Sequence, residues 1–429
     1  MKPNFSKAMG GSALDFYKIS GKTLQERHKN LNDYGNLLEE HGVSFIANRV
    51  LTSLVSTSIM AEIGGLQKRE YLNFSSQDYL GLSQNEEVKN AARQAIDDFG
   101  VHTASSPILS GRNKLVEKLE DKLASLVGMD QSLLFPVGWG ACFGAISALV
   151  SQSDHLILDG LSHNSLQVGS NYSTRNIHKF RHNDVEHLEA LLKRIRESNS
   201  STGIFVVIES LYSMNSDMPD LKKVLQLTQQ YEAILILDIA HDFGAMGERG
   251  LGILESIGDE RPDNLVVVGA FSKSFASNGG FVAGPAAIRR QIIVFGPTYT
   301  FTNGISPMQC NVALKCADII FSERGNVLRK QLKENILYAW EEFGKHGFHV
   351  NGIPSPIVPV VIGDEALTRM MGKENIKNGL LANIAEFPAV PRRKAIFRFQ
   401  MMSNHSFEEI RTGVQILNQS KKSALEILQ

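Results

Sequence analysis

Along the middle of the chain, short apolar runs alternate with stretches in which apolar residues recur every three or four positions. The runs are Ser132–Phe135, His155–Asp159, Ile204–Ile208, Ile234–Leu237, Leu265–Val268 and Gly280–Ala283. Most are rich in Leu and β-branched residues, continuous rather than alternating, and end at Gly, Asp, Glu or Pro. Strands buried on both faces of a largely parallel sheet have this pattern. Between them lie amphipathic stretches such as Lys114–Val127, with Leu115, Leu119, Leu123 and Leu126 on one face and Gly128 placed to stop a helix. The alternation predicts a doubly wound α/β domain.

The flanks differ. Up to about Arg69 the chain reads as a polar, mostly helical arm, with Glu26-Arg27-His28-Lys29 and Glu39-Glu40-His41 on solvated faces. Beyond about Pro307 come a long helix, Val327–His346, and two strand candidates, Ile357–Ile362 and Ile396–Gln400, which suggest a smaller α+β domain. A chain of 429 residues exceeds one ordinary core. The expected organisation is therefore an arm (1–70), a large domain (71–306) and a small C-terminal domain (307–429).

Composition removes several classes of function. Lys and Arg number 44 against 45 Asp and Glu, which leaves no footprint for nucleic acid or an anionic membrane. An anionic ligand must then be gripped by a local site. Cys142, Cys310 and Cys316 have neither paired nor metal-like spacing, so buried thiols in a reducing cytoplasm are expected and no metal is implied. The first residues lack the apolar run of a signal peptide. The most apolar early stretch, Ser44–Met60, is broken by Asn48 and Arg49 and falls short of the roughly 20 residues that span a bilayer, so no transmembrane segment is expected.

In an open α/β sheet, ligands sit beyond the carboxyl ends of the strands, and chemistry is sought there. One run stops at Asp238-Ile239-Ala240-His241. Another stops at Gly269-Ala270-Phe271-Ser272-Lys273, followed by a Ser- and Gly-rich loop. Alone, Asp238 suits a helix cap as well as a cationic ligand, and Lys273 suits a solvated loop. Together they form the pair that pyridoxal 5'-phosphate requires, an amine for its aldehyde and a carboxylate that keeps its ring nitrogen protonated. Gly138-Trp139-Gly140, between a strand and an apolar helix, offers backbone N–H groups for a phosphate and equally fits a plain strand–helix turn. His163 follows another strand end, where it either covers a cofactor ring or caps the loop.

At these residues the chain resembles a known family. The segment Gly269-Ala-Phe-Ser-Lys-Ser-Phe-Ala-Ser-Asn-Gly-Gly-Phe-Val-Ala-Gly284 is similar to the cofactor-lysine segment of the α-oxoamine synthases, pyridoxal-phosphate enzymes of fold type I. Asp78-Tyr-Leu-Gly-Leu82, Glu209-Ser-Leu-Tyr-Ser-Met214, Ser355-Pro-Ile-Val-Pro359 and Phe397-Arg-Phe-Gln-Met-Met402 resemble other segments of that family, in the same order, over about 71–417. The resemblance implies a decarboxylative condensation of a small amino acid with an acyl thioester, carried by coenzyme A or a carrier protein, in a homodimer. It implies that Lys273 holds the cofactor and moves protons at the substrate, with His163 stacked on the ring. Asp238 would pair with the ring nitrogen and His241 with the phenolic oxygen. Gly138, Trp139 and Ser272 would hold the phosphate, with Thr302 reaching that of a neighbouring subunit. Arg398 would bind the substrate carboxylate as a fork-shaped donor, and Gln77 would contact substrate.

Three positions depart from the family pattern. Ala270 stands where a Thr is usual, Gln77 where an Asn is usual, and Pro107 where an Arg is usual, with Arg112 the nearest basic residue. An aminotransferase or aldolase of the same fold is the alternative reading, and an inactive partner subunit, against which Lys273 argues, is a second.

Overall fold

The computed structural model describes residues 5–17, 20–43, 49–64 and 67–428. Residues 44–48 of the apolar stretch considered above lie outside the described residues. The chain divides into two compact units, one of 1–77, 214–216 and 331–429, the other of 78–213 and 217–330.

The first unit opens with helices, the longest being Leu24–Glu40, capped by the Thr23 side chain and Glu26. Strands β1 (Arg49–Leu51), β2 (Ser58–Ile63) and β3 (Arg69–Phe74) follow. Among the described residues, the arm is therefore mostly helical as far as residue 40, and β1, β2 and β3 replace helix after residue 48. In β2 the inward positions Ile59, Ala61 and Ile63 alternate with Ser58, Met60 and Glu62, a period of two that so short a segment barely expresses.

The second unit carries β4 (Gln131–Phe135), β5 (His155–Asp159), β6 (Ile177–Phe180), β7 (Ile204–Glu209), β8 (Ile234–Asp238), β9 (Leu265–Ala270) and β10 (Gly280–Gly284). They form one sheet in the order β4-β10-β9-β8-β7-β5-β6. Strands β6, β5, β7, β8 and β9 run parallel, while β10 lies antiparallel to β9 and β4. Every residue of β7 is buried, as expected for a strand covered on both faces. The helix Lys114–Val127 forms as the pattern predicts. Asn113 caps it through Leu115 N–H and Val116 N–H, and Gly128 stops it in the left-handed conformation (φ 71°, ψ 37°). Strand β6, Ile-His-Lys-Phe, escaped the sequence reading because two polar residues interrupt its apolar run.

The first unit resumes with β11 (His349–Val350), β12 (Ile357–Gly363), β13 (Leu380–Ala385) and β14 (Ala395–Gln400). These join the earlier strands in the order β1-β2-β3-β13-β14-β12-β11, with β13 parallel to β3. That pairing differs from an arm that is separate from the C-terminal domain, because backbone hydrogen bonds stitch residues 72–74 to 380–382. The other boundary falls at residue 331 rather than 307, since the helix Pro307–Ile320 packs on the helices Glu86–Phe99 and Lys114–Val127 of the second unit.

Candidate active site

Strands β5, β7, β8 and β9 end side by side, and their carboxyl ends present Asp159, Glu209, Asp238 and Ala270. Beyond them lies a cavity of about 280 Å³ within the second unit. Lys273, Asp238, His241, His163, Gly138, Trp139 and Ser272 line it, joined by Glu209, Cys142, Ser165, Asn278 and Gly279. Seven of the ten residues expected at the site thus meet in one place.

Asp238 is buried at the end of β8 with partners on both oxygens. The Ala240 N–H donates to Oδ1 at 3.0 Å, and the Cys142 thiol donates to Oδ2 at 3.4 Å. Burial, reinforced by the Asp238 charge, pushes the Cys142 thiol up, so it stays a donor. Lys273 sits in the turn after β9, where the Ala276 N–H donates to its carbonyl. His241 receives or gives a hydrogen bond through Nδ1 to the buried Tyr79 hydroxyl at 3.1 Å. The Ser165 N–H donates to Nδ1 of His163 at 3.3 Å, with the Ser165 hydroxyl 2.7 Å from the same atom. That nitrogen therefore accepts, and the ring proton lies on Nε2.

The helix Gly138–Leu149 begins at the cavity. Its N-cap is Val137, which has no side chain to satisfy the first N–H groups. A Cβ on Gly138 would stand 2.5 Å from the Ala270 Cβ, and one on Gly280 would stand 2.6 Å from the Gly138 Cα, so only glycine allows β10 and this helix to approach so closely. Free N–H donors, a positive helix end, an amine and a deeply placed carboxylate fit a phosphorylated, cationic aromatic ring such as pyridoxal phosphate.

A second polar cluster lies at the end of β5. His182 bridges Asp159 and Asp217, 2.9 Å from each. Burial disfavours its charge, but the two carboxylates outweigh this and lift it to about 9. Asp159 also accepts the N–H groups of Leu161 and Asn183, which ties down the loop leading to His163.

The remaining expectations fall elsewhere. The Thr302 hydroxyl donates to the Thr298 carbonyl, and Thr302 is not among the residues lining this chain's cavity. Gln77 and Arg398 belong to the first unit, Arg398 on β14 opposite Pro359 and Asn383. Arg112, the basic residue nearest to Pro107, lies elsewhere than the cavity of Lys273. Its Nε and Nη2 donate to Glu120, at 3.2 and 2.8 Å, beside a different cavity. Asp78 accepts the Leu82 and Ser83 N–H groups and so caps the turn that follows it. Glu209 and Cys142 were missed as site residues. Glu209 does carry the signal that marked Asp238, an acid ending an apolar run.

A lysine and a carboxylate at the carboxyl ends of a doubly wound sheet, beside an uncapped glycine-led helix, define a fold type I pyridoxal-phosphate transferase. The family model "Aminotransferase class I and II" matches residues 69–417. A serine palmitoyltransferase of Sphingobacterium spiritivorum is 31% identical over 367 residues, covering 86% of this chain and 89% of the relative. An 8-amino-7-oxononanoate synthase of Coprothermobacter proteolyticus is 31% identical over 348 residues, covering 81% and 87%. The solved serine palmitoyltransferase of Sphingomonas wittichii superimposes with a TM-score of 0.86 at 27% identity, covering 94% of this chain and all of that one. The chain belongs to the aminotransferase class I and II family, within its α-oxoamine synthase group of acyltransferases.

Proposed function

We propose that this enzyme condenses a small L-amino acid with an acyl thioester, acyl-CoA or acyl carrier protein, releasing carbon dioxide and the free thiol and forming an α-amino ketone. The observation that carries the reading is the shared cavity of Lys273, Asp238 and His163, and the relatives named above support the reaction class.

When bound, pyridoxal phosphate supplies a carbonyl carbon for amines and a protonated ring that draws electrons from the carbon next to the substrate amine. The chain's own residues do the rest. Lys273 Nζ would hold the cofactor and, with the amino acid bound, would take and return the proton at that substrate's Cα. The Asp238 carboxylate keeps the ring nitrogen's proton in place, because an adjacent negative charge favours the cationic form. His163 would lie against the ring face, and His241 would hydrogen-bond the phenolic oxygen. The Gly138 and Trp139 N–H groups and the Ser272 hydroxyl would hold the phosphate. Arg398 grips the substrate carboxylate with its planar fork, and Gln77 contacts substrate. Thr302 serves the phosphate of the other subunit of a homodimer, and the enzyme works in the cytoplasm. Among the described residues, no helix is long and apolar enough to cross a membrane.

The test is direct. Purified protein supplied with pyridoxal phosphate should show a visible absorption band, and borohydride should bleach it and fix the cofactor to the peptide containing Lys273. Lys273→Ala should fold, yet retain no fixed cofactor. Fixation at another lysine in the wild type would overturn the assignment.

A further inference from the structure

Glu209 and Asp238 close neighbouring parallel strands, and they pair in register. Both are buried, at 4% and 7% exposure, and both line the same cavity. Adjacent strands lie about 4.8 Å apart, so two carboxylates placed there repel one another where water cannot screen them. Their partners are unequal. Asp238 accepts from the Ala240 N–H and the Cys142 thiol. Glu209 accepts the backbone N–H of His163, 2.5 Å from Oε1.

Other titratable groups reach Glu209 from each side. Asp159 stands at the end of β5, Lys273 follows β9, and Tyr212 lies in the turn after β7. Burial, then the charges of Asp238 and Asp159, hold the Glu209 carboxyl well above the usual range, and Lys273 opposes them.

We propose that Glu209 is a positioning residue: it takes the proton of the Glu209–Asp238 pair and, as an uncharged acid, anchors the backbone of His163 beside the cofactor cavity. The inference rests on the functional reading above, in which His163 lies against the ring. It divides the work of two acids that look equivalent in the sequence. Asp238 presents the negative charge to the ring nitrogen. Glu209 presents a carbonyl oxygen to the His163 N–H, while Ser165 fixes the imidazole through Nδ1. His163 is then held at both backbone and ring.

The experiment compares wild type, Glu209→Gln and Glu209→Ala, each loaded with pyridoxal phosphate and each stripped of it. Two quantities are read: the dissociation constant of pyridoxal phosphate, and the position of the bound cofactor's visible band from about pH 6 to 10, which lies above the ordinary range of carboxyl groups and so exposes one held far above it. Glutamine keeps an acceptor oxygen for the His163 N–H and carries no charge. It should hold the dissociation constant within about twofold and the band maximum in place, the small change expected when a hydrogen bond is replaced by its isostere. Alanine leaves a buried N–H unpaired and should weaken cofactor binding about tenfold and shift the band. Glutamine as impaired as alanine would mean that Glu209 works as a carboxylate, and alanine indistinguishable from wild type would mean that it anchors nothing. Either result overturns the inference while the wild-type band stands. If alanine does not fold, glutamine decides alone: a dissociation constant within about twofold and an unmoved band support the inference, and a loss of about tenfold overturns it. A wild type without a visible band or a borohydride-fixed cofactor would overturn the functional reading, and this inference with it.

Discussion

Asp238 is buried, ionisable and surrounded by donors, a combination seldom met without a purpose. Replacing it with Asn keeps its shape and removes its charge. Cofactor should still bind to Asp238→Asn, and turnover should fall on the order of a hundredfold, the rate equivalent of a few kcal/mol from one buried charged contact. Steady-state rates at saturating cofactor check this, and near-normal turnover would contradict the role. Arg398→Lys keeps a charge and loses the bidentate fork. It should weaken the amino acid by roughly 1–3 kcal/mol and leave the acyl thioester constant nearly unchanged, as read by titrating the cofactor spectrum with each substrate. Residues of this kind were legible in the sequence where a charged side chain followed an apolar run, as Asp238 and Lys273 do. Cys142 was not, because in the apolar helix Gly138–Leu149 a thiol looks like any other apolar residue, and only the fold aims it at Asp238.

At the scale of elements, the approach of the helix Gly138–Leu149 to β9 and β10 sets the cavity floor. Gly138→Ala would drive a methyl to 2.5 Å from the Ala270 Cβ. Overpacking of that kind costs about 1–3 kcal/mol, so the variant should melt at a lower temperature and bind cofactor more weakly than wild type, as calorimetry and a cofactor titration would show. The loop from β5 to His163 has its own dependence on pH. His182 gains its proton's partners only in the folded chain, and its value rises from an ordinary 6.5 to about 9. The stabilisation is therefore complete below about pH 6.5 and disappears as pH rises through about 9. Melting midpoints should decline across that window in the wild type, and His182→Gln should flatten that part of the curve. An equal decline in both would contradict the bridge. The continuous apolar strands and the helix Lys114–Val127 were readable from their periods. The strands β1, β2 and β3 were not, because their pairing with one another and with β13 is non-local, and local propensity says nothing about a partner some 300 residues away.

For the whole molecule, the near balance of charge and the sheet carrying Lys273 and Asp238 fit an enzyme that gathers small substrates at a local site rather than along a charged face. The division into two units is where the sequence reading departs most from the structure. Strands β2 and β3 are committed by backbone hydrogen bonds to the sheet of β13, and the helix Pro307–Ile320 to the second unit, and neither allegiance leaves a mark in composition. The fold class and the cofactor pair do leave one. The measurement that bears most directly on the central claim is the stoichiometry of a single incubation of the holoenzyme with a small amino acid, such as serine, glycine or alanine, and a long-chain acyl-CoA. Carbon dioxide and free thiol should appear in equal amounts and together, and Lys273→Ala should yield neither. Free thiol without carbon dioxide, or an amino group transferred to an oxo acid with no thiol released, would contradict the account.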